Sequence, residues 1–95
     1  MPWFVFIGHD GPNGPAGRKQ HRPAHLERLE ALAREDRIRH AGPLLDNAGE
    51  PRGSLIVFEA PDLASAENFA AGDPYVREGI FETHEVIETL AVLPN

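Results

Sequence analysis

Apolar positions in this chain alternate between two spacings, and the changes of spacing mark its elements. Residues 2 to 9 are dense in aromatic and β-branched types (Trp3, Phe4, Val5, Phe6, Ile7) and break at Gly8 and then Gly11-Pro12-Asn13-Gly14-Pro15. This predicts a strand followed by a strongly punctuated loop. From about Ala16 to Asp36 the pattern turns helical. His25, Leu29, Leu32 and Asp36 fall near one line, Leu26 and Ala33 lie beside it, and Glu27, Arg28, Glu30, Ala31 and Arg34 form a wet side. Pro23 either opens this helix at its first turn or sits inside a longer one. Ile38 to Leu45 alternates weakly and ends in Asp46-Asn47-Ala48-Gly49-Glu50-Pro51, a turn-forming cluster. Gly53 to Ala60 is the clearest strand, and the two make a hairpin. Asp62 is placed to cap a second helix whose apolar stripe is Leu63, Ala66, Phe69 and Ala70. Gly72-Asp73-Pro74-Tyr75 stops it, and after a short segment a last strand is expected from about Thr83 to Val92.

The order β-α-β-β-α-β is that of a ferredoxin-like α+β domain: a four-stranded antiparallel sheet with two helices on one face. A sheet face left to water should alternate to polar residues. Here both parities of the first strand are apolar, with Trp3, Val5 and Ile7 against Phe4 and Phe6. The third repeats this, with Leu55 and Val57 against Ile56 and Phe58. Two helices cover one face, so a partner's sheet is the simplest cover for the other, and a homodimer or a larger assembly is expected.

Composition supports this. The chain of 95 residues fits a single domain over residues 1–95, and so small a domain buries little of its own surface. It has no cysteine, so disulfides and thiolate zinc sites are excluded as supplements to the core. The formal net charge of −6 and the absence of a basic stripe with interleaved aromatics argue against nucleic acid as a partner. No apolar run approaches the roughly 20 residues that span a bilayer. The apolar start lacks a basic leader region and a small-residue cleavage site, so no membrane association and a cytoplasmic location are the expectation.

Among residues able to carry chemistry, His25 stands on the inward line of the first helix. A histidine there is as readily a hydrogen-bonded core residue as a catalyst. Asp73 tips the balance, because the loop after the second helix can pass near the first helix. A carboxylate on one ring nitrogen fixes the tautomer and frees the other nitrogen for proton transfer. Arg22 suits a substrate carboxylate, or a surface ion pair. Ser54 can donate to a ligand from the start of its strand, and Tyr75 can line a pocket or close the core. His9 and Asp10 end the first strand, where a cleft or plain solvent could receive them. His21, His40 and His84 lack partners in the sequence and read as structural. The histidines show neither HxH nor HExxH spacing, so no metal site is expected. The glycines from Gly8 to Gly14 form no phosphate-binding pattern and read as a mobile loop or lid.

Arg22-Pro23-Ala24-His25-Leu26, Ala41-Gly42-Pro43-Leu44, Gly53-Ser54, Asp73-Pro74-Tyr75 and Gly79-Ile80-Phe81, in this order and spacing, resemble the YCII-related family. The resemblance runs over essentially the whole chain. It implies a ferredoxin-like protomer, a dimeric α+β barrel, and a cleft holding a histidine and an aspartate that map to His25 and Asp73. It also implies kinship with muconolactone isomerase-like enzymes and with a branch that eliminates chloride from chlorinated hydroxyquinones.

Two function classes follow. The first is a small enzyme that needs no cofactor and moves a proton on a compact organic substrate in a lyase, isomerase or dehalogenating elimination. His25 would be its acid or base, Asp73 its orienting partner, and Arg22, Ser54, Tyr75, His9 and Asp10 its substrate contacts. The second is a non-catalytic dimer that uses the same cleft to bind a metabolite or a partner. A cofactorless oxygenase, as found elsewhere in the α+β-barrel superfamily, is a related option.

Overall fold

Strand β1 (Trp3–Asp10) is the spine of the sheet: it pairs antiparallel with β3 (Pro51–Glu59) on one side and with β4 (Phe81–Thr89) on the other. β2 (Ile38–Leu45) pairs antiparallel with β3, so the strand order is β2-β3-β1-β4. The computed structural model describes residues 1–94. Helix α1 (Gly14–Ala33) connects β1 to β2, and α2 (Leu63–Ala71) with a one-turn helix α3 (Pro74–Arg77) connects β3 to β4. This is the expected α+β architecture with β-α-β-β-α-β order, enlarged by α3.

Burial along the strands follows the pleat. Phe4, Phe6, Ile56 and Phe58 face the helices and are buried with Leu29 and Leu32 of α1 and Ala66 and Ala70 of α2. The alternate residues Trp3, Val5, Ile7, Leu55 and Val57 point to the other face and are only half-buried. Arg39 stacks its guanidinium 4.5 Å from the centre of the Trp3 ring.

Several boundaries differ from the sequence expectation. Only residues 11 to 13 separate β1 from α1, and they form a tight turn: the Gly14 amide donates to the Gly11 carbonyl at 3.1 Å, and the Gly11 amide to Ile80 at 2.9 Å. Pro15 at the helix start carries the chain straight into α1, so the segment is a connection and not a lid. Pro23 lies inside the helix, where it cannot donate to the Lys19 carbonyl. The helix ends before Asp36, which takes a positive φ of 56° in the turn leading to β2. The last strand stops at Thr89, and Leu90 and Val92 beyond it are exposed. α2 begins as expected, with the Asp62 carboxylate accepting from the Ser65 amide at 2.8 Å. Among the described residues no helix is long and apolar enough to cross a membrane.

Phe58 is 1% exposed and packs against Phe4 and Phe69. Phe58→Ala is expected to cost about 3–5 kcal/mol of folding free energy, read from urea unfolding midpoints.

Candidate active site

α1 presents Arg18, Arg22, His25 and Leu29 along one line toward the sheet edge formed by β2 and β3. Between them lies a cleft of about 500 Å³ whose lining includes Arg18, Arg22, His25, Ser54 and Tyr75. Four of the residues singled out from the sequence, or adjoining them, therefore meet in one place: Arg22, His25, Ser54 and Tyr75.

His25 and Asp73 are 48 positions apart and in direct contact. Nδ1 of His25 stands 2.8 and 2.9 Å from the two carboxylate oxygens of Asp73. Local chemistry puts Asp73 there. The residue before a proline is held in extended backbone, and Asp73 has φ −68° and ψ 133°, with Pro74 opening α3. Its carboxylate caps α3 by accepting from the Tyr75 amide at 2.8 Å, and the same carboxylate meets the imidazole. The Arg28 guanidinium stands 3.9 Å away. Asp73 is 4% exposed and His25 8%, so the contact is buried. A carboxylate at Nδ1 favours the tautomer with its proton on that nitrogen, which leaves the lone pair on Nε2. Among the described residues Nε2 has no hydrogen-bond partner, and His25 lines the cleft.

Tyr75 fixes the plane of this imidazole. The two rings stack with centroids 3.9 Å apart and planes 7° from parallel. Burial is the main cause that raises the phenol above its ordinary value, against the opposing pull of Arg18 and Arg22. It therefore remains a donor at neutral pH, and its hydroxyl donates to the Arg18 carbonyl at 3.3 Å.

Arg18 was not picked out from the sequence. Its Nε and Nη2 donate to the two oxygens of Asp10 at 2.7 and 2.8 Å, and Nη2 also donates to the Gly53 carbonyl at 2.6 Å and to Ser54 Oγ at 3.1 Å. The guanidinium lies 5.2 Å from the Tyr75 ring centre and 5.7 Å from that of Phe81. Gly8 makes room for this arrangement, because a Cβ there would stand 2.8 Å from the Phe81 ring. Nη1 has no acceptor among the described residues, and Arg18 lines the cleft. The signal was present: Asp10 shares parity with Phe4 and Phe6, and an inward acid needs a cation, which Arg18 supplies one turn before Arg22.

Asp10 is thus one step behind the cleft, linked to it through Arg18. His9 is exposed, shares parity with Trp3, Val5 and Ile7, and does not line the cleft, because strand alternation turns it from the helices. Among the described residues no three His, Cys, Asp or Glu side chains gather as metal ligands.

Fold and site together define a ferredoxin-like α+β scaffold with a buried His–carboxylate pair beside a cleft. The chain belongs to the YCII-related family, whose domain matches residues 2–90. It is 34% identical to Protein YciI of Escherichia coli O6:H1 over 85 residues, covering 83% of this chain and 87% of the relative, and equally so to YciI of Shigella flexneri. Among solved structures it is similar to the 5-chloro-2-hydroxyhydroquinone dehydrochlorinase TftG of Burkholderia phenoliruptrix AC1100, in complex with 2,5-dihydroxybenzoquinone. That match has a TM-score of 0.78, 27% identity and 90% coverage of each chain. An antibiotic biosynthesis monooxygenase (TM-score 0.58, 16% identity, 97% of this chain and 99% of that one) shares the fold.

The Arg18–Asp10 pair is nearly enclosed, with side chains 12% and 3% exposed. Arg18→Met leaves Asp10 as an unpaired buried charge and is expected to cost about 3–5 kcal/mol. Adding Asp10→Asn should return a large part of that loss, and a double-mutant cycle in urea measures the coupling.

Proposed function

We propose that this chain is a small-molecule enzyme that transfers a proton without a cofactor, in an elimination or isomerisation on a hydroxylated or ketonic ring. The observation that carries the reading is the buried His25–Asp73 contact on a histidine that lines the cleft. His25 is the base. Asp73 keeps the proton on Nδ1 and stabilises the imidazolium that forms when Nε2 takes a proton. Removing a proton from a ring hydroxyl or carbon leaves negative charge on a ring oxygen. Arg18 and the Ser54 hydroxyl line the cleft and serve as its donors, held in place by the hydrogen bonds that tie Arg18 to Asp10 and Ser54. In an elimination, one hydroxyl proton first moves to the halogen-bearing carbon, turning the ring into its keto tautomer. Nε2 then takes the second hydroxyl proton, and the freed electron pair moves through the ring and departs with the leaving group, here a halide. A hydroquinone losing hydrogen halide becomes a quinone with no external oxidant. The likeness to TftG supports this class of reaction.

The same reading makes the protein a homodimer. The half-buried apolar residues Trp3, Val5, Ile7, Leu55 and Val57 share the sheet face that the helices leave open, and a second copy of that face is the cover the fold calls for.

His25→Asn is expected to lower turnover of a halogenated hydroxyhydroquinone by about 10²–10⁴-fold while leaving affinity for a hydroxybenzoquinone nearly unchanged. Steady-state kinetics with parallel melting curves makes the measurement. Undiminished activity in His25→Asn, at unchanged thermal stability, rules out the catalytic role. If wild type binds such rings and turns none over, the protein is a binding module.

Light scattering at micromolar concentration should give about twice the 10.4 kDa chain mass. Val57→Asp should prevent assembly or folding, and a stable, well-folded wild-type monomer would sink the dimer.

A further inference from the structure

The charges of the cleft are arranged along its length. Helix α1 brings Arg18, Lys19 and Arg22 to one end of the lining, His25 to the middle, and Leu26, Leu29 and Ala33 to the other end, which Ile38 closes. The positive charges at the first end are not equivalent. Arg18 is neutralised by Asp10 at 2.7 Å. Lys19 and Arg22 are exposed and form no ion pair among the described residues. Glu30 is the one acid on the lining. It stands eight residues beyond Arg22, about 12 Å along the helix axis, and does not neutralise that end. The cleft mouth therefore carries two uncompensated cations on a chain whose formal net charge is −6.

We infer that the substrate of this cleft is a single-ring carboxylate, bound with its ring toward Leu29 and Ile38 and its carboxylate between Lys19 and Arg22. The inference rests on the cleft being the substrate site proposed above, and it adds the chemical class of what enters. The reacting ring oxygen goes to Arg18 and Ser54. A second, permanent negative charge is what Lys19 and Arg22 recognise. The dimensions agree: Arg22 precedes His25 by about 4.5 Å of axial rise, so a carboxylate borne directly on a ring beside His25 comes within reach of the flexible Arg22 and Lys19 side chains. An acidic protein repels anions over most of its surface, and a local pair of free cations is where an anionic ligand gains both affinity and encounter rate.

The test compares gentisate with methyl gentisate, which has the same hydroxylated ring and no charge, by calorimetric titration. Wild type is expected to bind gentisate about tenfold more tightly at low ionic strength, and the preference should shrink as NaCl is added. In the double variant Lys19→Gln/Arg22→Gln the preference should vanish, with affinity for the methyl ester unchanged and melting temperature preserved. Equal affinities in wild type overturn the inference, as does a preference that survives in the double variant, or binding of neither compound. His25→Asn separates this result from the catalytic reading. Charge recognition does not pass through the imidazole, so the preference should persist there even though turnover is lost. A catalytically silent protein that prefers the acid would refute the catalytic reading alone, and an active one with no preference would refute the substrate class alone.

Discussion

Asp73 is almost wholly buried, and a buried carboxylate survives only where its oxygens are satisfied. One carboxylate here does two kinds of work. It accepts from the Tyr75 amide and so begins α3, and it accepts from the imidazole of His25 and so joins α3 to α1. The consequences spread outward. Starting α3 at Pro74 sets Tyr75 flat against the imidazole, and the same phenol then reaches the Arg18 carbonyl. Arg18 in turn ties α1 to β1 through Asp10 and to β3 through Gly53 and Ser54. Two helices, two strands and the candidate site are held by one continuous polar network. Its members lie on the helix-facing side of the sheet, in a protein whose core is otherwise apolar.

Such a network is costly to form and costly to break. Replacing a buried ion pair by apolar side chains is often neutral or stabilising, so stability alone gives little reason to keep Asp10 with Arg18. What the network does supply is fixed geometry. Nε2 of His25 and Nη1 of Arg18 are left without a partner among the described residues, and both side chains line the cleft. Preorganised donors and a base of fixed tautomer are what proton transfer from a small ring requires. The monooxygenase structure shows that the scaffold itself accommodates other descriptions, so the chemistry has to be argued from these side chains and not from the sheet.

The architecture was legible because local signals agree with one another. Alternating aromatic strands, the Asp62 cap and the turn at residues 46 to 51 all specify the same order of elements. Boundaries were less legible wherever two signals competed. Gly14 and Pro15 read as loop residues, yet Pro15 at a first helical turn is a helix start. Pro74 read only as a terminator and in fact opens α3. In the site, His25 stood out as a histidine on the inward line of a helix, and Asp73 because the loop after the second helix can pass near the first. Arg18 did not, because an arginine in a polar helical segment looks like a solvated one until the helix rotation is known. Leaving open whether Pro23 began the helix hid that Arg18, Arg22 and His25 form a single line.

Strand β3 shows how one segment serves two surfaces without conflict. Ser54 faces α1 and meets Arg18, while Leu55 and Val57 point to the open face of the sheet. Period-two alternation keeps these roles apart along consecutive residues. Every residue assigned to the candidate site comes from one chain and lies on the helix side. A second copy pairing on the open face would bury Leu55 and Val57 without entering the cleft. Its contribution would be to relieve a small domain of a half-buried apolar face, and so to offset the cost of the ionised network on the opposite side.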